Sequence, residues 1–396
     1  MLTPEQAKQI ILENLQQPKP IYIDILSSLG CVLAEDVKAP LDMPLFDNSA
    51  MDGYAVVCDC DGDRFKIVGE SYAGNPFLGS VREGEAVYVG TGGRIPNGAN
   101  AVVKVEDADV HPNGFITVKK KIKVGENIRK RGEEVKAGEI IIKKGSYITP
   151  IVVSYLAQFG IEEVKVYKKP SVSVITTGDE IVEPGSKLEE GKIFDSNSFF
   201  LRTILQKLGF PFQFLGTVKD VEKELVSKIE QSFISESDFI LITGGVSVGE
   251  RDIVKDVVEQ RAERIFWKVS QKPGKPLYFA RSQDKLIFGL PGNPVSCVIC
   301  FFIYVLPALF KFCGIDHSFP KKSANFIGDF SSHDGRLTWL RVGLTEKDGK
   351  LFAQPLKKQG SHMLSSLILS DGVVGAYKIK DGEQVEVIQF SDIVKL

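Results

Sequence analysis

The 396-residue sequence predicts a multidomain α/β protein built around a three-layer, doubly wound, mostly parallel sheet. Its length exceeds that of one ordinary core and suggests two to four domains. Between Pro170 and about Cys313, short apolar runs typical of buried strands alternate with segments of helical periodicity. Such alternation is typical of parallel sheets with right-handed helical crossovers. Before and after this region the pattern changes to short alternating runs, so we expect β-rich regions on both sides of it.

The chain opens with a predicted amphipathic helix. Thr3 and Gln6 have the spacing of a capping box, and Pro4 occupies the first helical position. The apolar residues that follow recur at helical spacing, at positions Ala7, Ile10, Ile11 and Leu15.

From Phe46 to about Arg131 the sequence predicts a β-rich module. Runs such as EAVYVG and NAVVKVE alternate apolar and polar residues and are separated by Gly, Pro and Asn. The chain then continues through IIIKKG to a predicted helix, PIVVSYLAQFG, with Gly160 as its C-terminal cap.

The α/β region begins with a strand, SVSVITT, and a helix, SNSFFLRTILQKL. A strand, FQFLGTV, a helix, VEKELVSKIEQSF, and a strand, DFILIT, come next. A helix after Asp252, the strand LIFGL and a helix from Val295 complete the region. The tail from Pro320 returns to alternation in LTWLRVGL, GVVGAYKI and EQVEVIQF, which predicts a small antiparallel barrel or sandwich.

Charge and hydropathy exclude several classes of function. Lys and Arg number 49 against 51 Asp and Glu, so the chain has no basic footprint for nucleic acid. The apolar stretch from Val295 to Phe310 is interrupted by Pro307 and is shorter than the roughly 20 residues of a membrane span, which predicts a buried helix. Met1 leads directly into the first helix and not into a signal sequence. We therefore expect a cytoplasmic protein without a membrane anchor.

Cysteine and histidine do not form a recognisable catalytic pattern. Only Cys297 and Cys300, of six cysteines, have redox or zinc-like spacing, and they lie in an apolar helix, which favours a buried structural pair over a metal site. The four histidines are widely separated and lack ligand spacing: His111, His317, His333 and His362.

Three glycine-rich loops follow the ends of apolar runs: Thr243 to Asp252, Pro273 to Pro276, and Leu290 to Ser296. Loops there expose backbone N–H groups beyond the carboxyl ends of strands, where α/β sheets bind phosphates. Any one loop alone could be a tight turn that needs glycine. The three together, with Lys272 and Lys275 beside them, predict a phosphorylated ligand.

Carboxylates close to these loops predict a magnesium site. Mg²⁺ binds a few carboxylate oxygens together with substrate phosphate and water. The candidates are Asp52, Asp179, Glu180, Asp220 and Asp252. Asp220 and Asp252 could instead cap the helices that follow them, and Lys272 and Lys275 could be solvated surface residues.

Longer motifs run through nearly the whole chain in a fixed order. They include PLFDNSAMDGYA from Pro44, TGGRIPNGANAVVKVED from Thr91, NIRKRGEEVKAG from Asn127 and TTGDE from Thr176. TGGVSVGERD, PGKP, LPGNPVS and QGSHMLSS from Gln359 complete the series. With these motifs the chain resembles the molybdopterin molybdenumtransferase family, which includes bacterial MoeA and the E domain of gephyrin.

The resemblance implies four domains and a homodimer. The expected domains are a discontinuous N-terminal dimerisation domain (1–45 and 132–169), a β-rich module (46–131), an α/β molybdopterin-binding domain (170–318) and a small C-terminal β-barrel (319–396). The implied activity is insertion of molybdate into adenylylated molybdopterin with release of AMP, assisted by Mg²⁺ or another divalent cation. The molybdopterin adenylyltransferase is the implied protein partner.

By this resemblance, residues along the whole chain are assigned to the site. The expected catalytic residues are Asp52, Thr91, Glu180, Asp220 and Asp252, of which all but Thr91 are also expected metal ligands. The expected substrate-binding residues are Arg129, Glu134, Asp179, Gly244, Gly245, Ser247, Gly249, Lys268, Lys272, Lys275, Pro291, Gly292, Pro294, Arg341 and Ser361.

Small departures from the family pattern are Asn100 where Asp is frequent, Gly93 where Ala is frequent, and SDGVV in the C-terminal region. Two other functions are compatible with parts of the sequence. A molybdopterin adenylyltransferase shares the α/β module but has no need of the SAMDGYA module or the C-terminal barrel. A non-catalytic, gephyrin-like scaffold is disfavoured because the chain has no long linker or extra domain.

Overall fold

A computed structural model describes residues 1–16, 18–58, 63–219, 222–245, 253–282 and 284–390. The chain divides into two units. The larger comprises Met1–Ile21, Gly30–Val32 and Val166–Leu396, and the smaller comprises Tyr22–Leu29 and Leu33–Lys165. Two strands, Pro20–Asp24 and Glu163–Tyr167, span the boundaries between them. The finer division into four domains remains a prediction.

A six-stranded sheet forms the centre of the larger unit. Its spatial order is Phe212–Val218, Val172–Thr177, Phe239–Thr243, Leu286–Leu290, Tyr278–Arg281 and Glu263–Trp267. The first four strands are parallel, as the sequence predicts, and the last two are antiparallel. Those two strands were not predicted, because Arg281 and the polar residues around Glu263 interrupt their apolar pattern.

Helices cover both faces of this sheet, which confirms the predicted three layers. Val174 and Leu241 on one face pack with Leu201 from the helix Asn197–Lys207. Ile175 and Ile240 on the other face pack in a second cluster with residues of the helices Glu222–Ile234 and Ile253–Glu259. The alternation along the strands therefore places successive side chains in different cores.

The predicted apolar helix is the main buried element of the larger unit. It begins as Pro294–Cys300, continues as a π-helical turn over Phe301–Val305 and ends as Leu306–Phe312. Pro294–Phe312 is long and apolar enough to cross a membrane by composition alone, but 83% of its most apolar window is buried. It is therefore a core helix, and the N-terminal helix Pro4–Glu13, with its predicted Thr3–Gln6 capping box, packs into the same core.

The C-terminal region forms a closed barrel and not a sandwich. Its five strands are Lys321–Phe326, Leu337–Lys347, Lys350–Pro355, Gly372–Ala376 and Gln384–Ile388, and each pairs with two others. The short strand Gln271–Lys272 adds in parallel to the beginning of the long strand Leu337–Lys347. Smaller pairings join Phe330–Ser331 to Lys378–Ile379 and Ile181–Val182 to Ile193–Phe194, and a short helix covers Ser365–Ile368.

The smaller unit contains the predicted β-rich module. Its sheet has the order Ala101–Lys104, Gly53–Val56, Glu85–Val89, Arg64–Ser71, Phe115–Val118 and Ala108–His111, with a 3₁₀ turn at Val105–Asp107. Short strands pair Asn48–Ser49 with Ile128–Arg129 and Val37–Lys38 with Ile140–Ile142. The predicted helix covers Pro150–Gln158, and Gly160, at φ 69°, follows its cap.

Candidate functional site

One cavity of the larger unit lies beside the C-terminal barrel and has a volume of about 770 Å³. We call it the barrel-side cavity. Its lining is Gln271–Pro276, Asn293, Ser296, Asp329–Asp334, Arg336, Thr338, Leu340, Arg341, Pro355 and Gln359–His362. Four of the predicted substrate-binding residues are therefore brought together here: Lys272, Lys275, Arg341 and Ser361.

Arg341 is the largest fully buried side chain in the described part of the molecule, with 1% exposure. Its guanidinium donates to Ser366 Oγ at 3.2 Å, to the Trp339 carbonyl at 3.1 Å and to the Gly360 carbonyl at 3.4 Å. All three acceptors are neutral, and no carboxylate of the described residues pairs with it. Burial lowers the pKa of Arg341 to about 10, which leaves it charged at neutral pH.

Two lysines add positive charge to the same cavity. Lys272 is exposed and Lys275 is half-buried, and neither ammonium has an ion-pair partner among the described residues. The cavity's two carboxylates are engaged elsewhere. Asp334 pairs with Arg336, whose hydrogen bonds lower the pKa of Asp334. Asp329 accepts a hydrogen bond from the Asp381 N–H at 3.0 Å and lies 3.6 Å from Lys380 Nζ. The uncompensated charge of the cavity is thus positive.

The second cavity, of about 480 Å³, lies at the carboxyl ends of the parallel strands, and we call it the sheet-edge cavity. Its lining is Thr176–Gly178, Glu180, Ile181, Ile193–Asn197, Thr243–Gly245, Pro276, Pro291–Pro294 and His362. It collects the predicted residues Glu180, Gly244, Gly245, Pro291, Gly292 and Pro294. None of its described lining residues is a lysine or an arginine. Pro276, Asn293 and His362 line both cavities, so the two adjoin.

Close approach of the loops builds the sheet-edge cavity. Gly244 has φ 90°, and a Cβ there would lie well inside contact distance of the Thr177 carbonyl oxygen. Asn197 joins two of the loops, because its amide donates to Thr243 Oγ1 at 2.9 Å and to the Gly292 carbonyl at 2.8 Å. Only glycine at position 244 allows the strands to end this close together.

The polar side chains of this cavity include hydroxyls and carboxylates, beside the amides of Asn197 and Asn293 and the imidazole of His362. Within the described residues, the buried hydroxyls of Thr176 and Thr177 have no hydrogen-bond partner. Asp195, with 3% exposure, accepts from the Ser198 N–H at 2.9 Å and from Thr217 Oγ1 at 3.3 Å. Glu180 is exposed on the cavity wall. Both hydroxyls are buried beside this cavity, and a buried polar group without a partner calls for an explanation.

In the smaller unit, two predicted catalytic residues are in contact. Asp52 Oδ1 accepts from Thr91 Oγ1 at 2.7 Å and from the Thr91 N–H at 2.6 Å. These two bonds lower the pKa of Asp52. Arg129 and Glu134, also predicted to bind substrate, are exposed in the same unit.

Several predicted residues are placed elsewhere or lie outside the described residues. Lys268 does not line either cavity; it has φ 80°, and its ammonium lies 3.7 Å from the centre of the Trp267 ring. Asp179 is exposed, and its carbonyl accepts from Lys192 Nζ at 2.8 Å. Asp220, Ser247, Gly249 and Asp252 lie outside the described residues. Over the described ranges, no three His, Cys, Asp or Glu side chains cluster as metal ligands would.

Two of the departures from the family pattern have structural explanations. Gly93 lies where an added Cβ would approach both the Gly90 and Ser71 carbonyl oxygens to 2.8 Å, so alanine would require a local shift. Asn100 Oδ1 accepts from the Cys58 N–H at 2.8 Å, which gives this side chain a structural role in the turn.

Some lining residues were not identified from the sequence. Asn197 lies in the predicted helix SNSFFLRTILQKL and Asp195 immediately precedes it, and neither was named as a site residue. His362 was set aside because the histidines lack ligand spacing, and Gln271 and Arg336 were not singled out. The sequence contains one signal for Asp195 and Asn197, a run of three polar residues directly after a short strand.

Comparisons with known proteins point to one family. Three family models match: the MoeA N-terminal region (domain I and II) at residues 2–160, a probable molybdopterin binding domain at 173–311, and the MoeA C-terminal region (domain IV) at 324–390. The chain is 38% identical to the molybdopterin molybdenumtransferase of Haemophilus influenzae over 94% of this chain and 93% of the relative. It is 34% identical to a Staphylococcus aureus protein of that name, over 97% and 94%.

Solved structures lead to the same family. A crystal structure of the molybdopterin biosynthesis MoeA protein of Pyrococcus horikoshii matches with a TM-score of 0.83 and 32% identity, over 98% of this chain and 99% of that one. A crystal structure of a molybdopterin biosynthesis MoeA protein from Pyrococcus horikoshii OT3 matches with a TM-score of 0.76 and 30% identity, over 98% of this chain and 100% of that one. The chain therefore belongs to the molybdopterin molybdenumtransferase (MoeA) family, enzymes of molybdenum cofactor biosynthesis.

Proposed function

We propose that this protein inserts molybdate into adenylylated molybdopterin and releases AMP. The observation that carries this proposal is Arg341, a buried guanidinium without a carboxylate partner in the described part of the chain. A buried charge with only neutral partners is costly, and an anion beside it would offset that cost. Molybdate is a tetrahedral dianion of the size and charge that a guanidinium and two ammonium groups bind.

The sheet-edge cavity is suited to the phosphates of the second substrate. Thr176 and Thr177 offer hydroxyls without other partners, and the glycine loops bring backbone close to the same space. Such groups hold phosphates without a need for lysine or arginine. Because the two cavities adjoin at Asn293 and His362, the dithiolene of the pterin would reach molybdate at that junction.

A divalent cation, Mg²⁺ in our proposal, fits the carboxylates of this site. Glu180 is exposed on the wall of the sheet-edge cavity, and one or two carboxylates with substrate phosphates and water are the usual ligands of Mg²⁺. Asp52, Asp220 and Asp252 are the other proposed ligands. When bound, the ion would offset the negative charge of the phosphoanhydride.

The residues of this chain would act chiefly by binding and orientation. Arg341, Lys272 and Lys275 hold molybdate, and each well-aligned charged contact contributes about 1.5 to 3 kcal/mol. An oxygen nucleophile, from water or from molybdate, attacks the phosphorus of AMP. The bridging oxygen leaves with the pterin phosphate. The two dithiolene sulfurs then bind molybdenum and give up their thiol protons, and one molybdate oxygen leaves, as water when water is the nucleophile or with AMP when molybdate is. Positioning of the two substrates beside each other supplies most of the effect.

Release of AMP from purified adenylylated molybdopterin tests the proposal. We expect release to require both molybdate and Mg²⁺ and to coincide with molybdenum in the pterin. A second reaction contains molybdopterin and ATP in place of the adenylylated substrate. Adenylylated product in that reaction, with no molybdate-dependent AMP release in the first, would identify an adenylyltransferase instead. Absence of activity in both would favour a scaffold.

We also propose a cytoplasmic homodimer that receives its substrate from a molybdopterin adenylyltransferase. In support, the smaller unit, which contains the region expected to dimerise, exposes large apolar side chains, among them Leu26 at 78% and Ile151 at 81%. Light scattering after gel filtration should give twice the chain mass of 43.6 kDa. The variant Leu26→Asp/Ile151→Asp should then elute as a monomer, and an unchanged mass would move the interface elsewhere.

A further inference from the structure

A buried amide network connects the lysine loop, the barrel and the apolar helix of the larger unit. Gln271 is fully buried and immediately precedes Lys272. Its Oε1 accepts from Tyr304 OH at 2.7 Å and from Trp339 Nε1 at 2.9 Å, and its Nε2 donates to the Gly274 carbonyl at 3.0 Å. One side chain thus bonds to three separate segments.

The chemistry of the partners fixes the orientation of this amide. The indole N–H of Trp339 can only donate, so the oxygen of Gln271 must face it. The amide nitrogen is therefore directed at the Gly274 carbonyl, which can only accept. This one orientation satisfies all the described partners. In a flipped amide, the NH2 group would face the indole N–H of Trp339, and the amide oxygen would face the Gly274 carbonyl.

Cys300 supports the same carbonyl from the apolar helix. Its thiol lies 3.7 Å from the Gly274 oxygen and 3.5 Å from Gln271 Nε2. Burial raises the pKa of Cys300 well above its usual value, so the sulfur keeps its proton and can donate. Gly274 itself, at φ 94°, is packed against these groups, since a Cβ there would lie 2.7 Å from the sulfur and 2.8 Å from the amide nitrogen.

The barrel end of the network leads to Arg341. Trp339 and Arg341 lie two residues apart on the same barrel strand, and the Trp339 carbonyl accepts from the Arg341 guanidinium. The Gln271 side chain therefore connects the turn that carries Lys272 and Lys275 to the strand that carries Arg341. These are the three cations without carboxylate partners in the barrel-side cavity.

We propose that Gln271 is a positioning residue that sets the spacing between the lysine turn and Arg341 for a tetrahedral oxyanion. The side chain does not itself need to touch the anion. It holds the turn through the Gly274 carbonyl and the strand through the Trp339 indole. This inference rests on the proposed function, in which those cations bind molybdate.

The test compares two glutamine-to-methionine variants. Gln271→Met keeps the length of the side chain and removes all three bonds. Gln213→Met is the matched control, because Gln213 Nε2 also bonds buried groups, Ser173 Oγ at 2.9 Å and Ser237 Oγ at 3.2 Å, at the opposite end of the parallel strands. The KM for molybdate, kcat and the melting temperature are measured for both and for the unmodified protein.

For Gln271→Met we expect the KM for molybdate to rise about tenfold, with kcat within about twofold of the unmodified protein, the size expected when an oriented hydrogen bond is lost. Gln213→Met should lower the melting temperature and leave the KM unchanged. If Gln271→Met does not fold, Gln271→Met/Tyr304→Phe, which removes the buried hydroxyl together with its acceptor, replaces it and should show the same rise in KM.

A lower melting temperature with an unchanged KM for molybdate in the folded variant would overturn the inference and leave Gln271 a structural residue. This outcome differs from a failure of the proposed function. In that case the unmodified protein itself would show no molybdate-dependent AMP release, whatever residue 271 is.

Discussion

The barrel-side cavity and the sheet-edge cavity adjoin, yet they present different chemistry to a ligand. The barrel-side cavity holds three cations, Lys272, Lys275 and Arg341, without carboxylate partners among the described residues. The described lining of the sheet-edge cavity has no lysine or arginine and offers hydroxyls and the carboxylates of Glu180 and Asp195. One cavity suits a small bare oxyanion, and the other suits phosphates that arrive with a divalent cation.

In the proposed function, this difference would keep the two anionic substrates apart. If both cavities were cationic, phosphate and molybdate would compete for the same groups. Because the barrel-side cavity has fixed positive charge and the sheet-edge cavity has neutral donors, each cavity would bind one substrate more tightly than the other. Substitutions that alter one cavity should therefore change the KM of one substrate and leave the KM of the other unchanged.

The largest expected effect follows from loss of the buried guanidinium. Arg341→Met should raise the KM for molybdate about 100-fold, because a charged hydrogen bond contributes about 1.5 to 3 kcal/mol and a guanidinium can make two. The KM for adenylylated molybdopterin should change little. Steady-state AMP release with each substrate varied in turn gives both values.

Arg261→Met is the control for Arg341→Met, since Arg261 is largely exposed and pairs with Glu230. It should leave both KM values unchanged. Equal rises in the two KM values for Arg341→Met would contradict a division of labour between the cavities.

The next effect concerns the shape of the sheet-edge cavity. Gly244→Ala introduces a Cβ against the Thr177 carbonyl in a backbone conformation that alanine adopts poorly. Gly185→Ala is matched to it, with φ 91° in open space. The conformational cost, roughly 1 to 2 kcal/mol, is common to both, and overpacking adds about 1 to 3 kcal/mol at position 244 alone.

Thermal melting and the KM for adenylylated molybdopterin distinguish these two glycine variants. We expect a lower melting temperature for both and a several-fold higher KM for Gly244→Ala only. If Gly185→Ala raised that KM equally, the effect would come from backbone strain and not from the cavity.

The overall architecture followed from local patterns, whereas the cavities depend on long-range contacts. The Thr3–Gln6 capping box, the strand–helix alternation and the buried apolar helix were all predicted from residues close in sequence. The closed barrel was assigned through family resemblance, since alternation alone fits a barrel or a sandwich. Gln271 meets Trp339 across 68 positions and Tyr304 across 33, and no local period records such pairs.

Only part of the candidate site was predicted, because the cavities depend on contacts between residues that are distant in sequence. Glycines, lysines and carboxylates next to loops are visible in a sequence, so Gly244, Lys275 and Glu180 were named. The burial of Arg341 and the absence of a carboxylate beside it, within the described residues, are properties of packing. Lys268 was named as well, but its position over Trp267 separates it from both cavities.

A smaller effect is expected from the carboxylate of the sheet-edge cavity. Glu180→Gln removes a proposed ligand of Mg²⁺ while keeping the shape of the side chain. The Mg²⁺ concentration for half-maximal AMP release should rise about tenfold, because Mg²⁺ is held by only a few carboxylates. The KM for molybdate should not change. Glu183→Gln, in the adjacent exposed turn, is the control, and an equal response from it would indicate a general effect of surface charge.

The smallest expected effect lies in the smaller unit, at a carboxylate whose donors among the described residues are all neutral. Asp52 accepts both of its bonds from Thr91, and they lower its pKa. A carboxyl group whose pKa is lower in the folded state stabilises the fold above its unfolded-state pKa, and this contribution disappears as the pH falls through the folded-state value. Thr91→Val removes the hydroxyl donor and keeps the backbone N–H. The pKa of Asp52, followed by carboxyl-carbon NMR, should therefore move up toward its ordinary value without reaching it. An unchanged pKa would mean that the backbone N–H bond alone lowers the pKa of Asp52. The Thr91 hydroxyl would then have no role in keeping that carboxylate ionised for a cation.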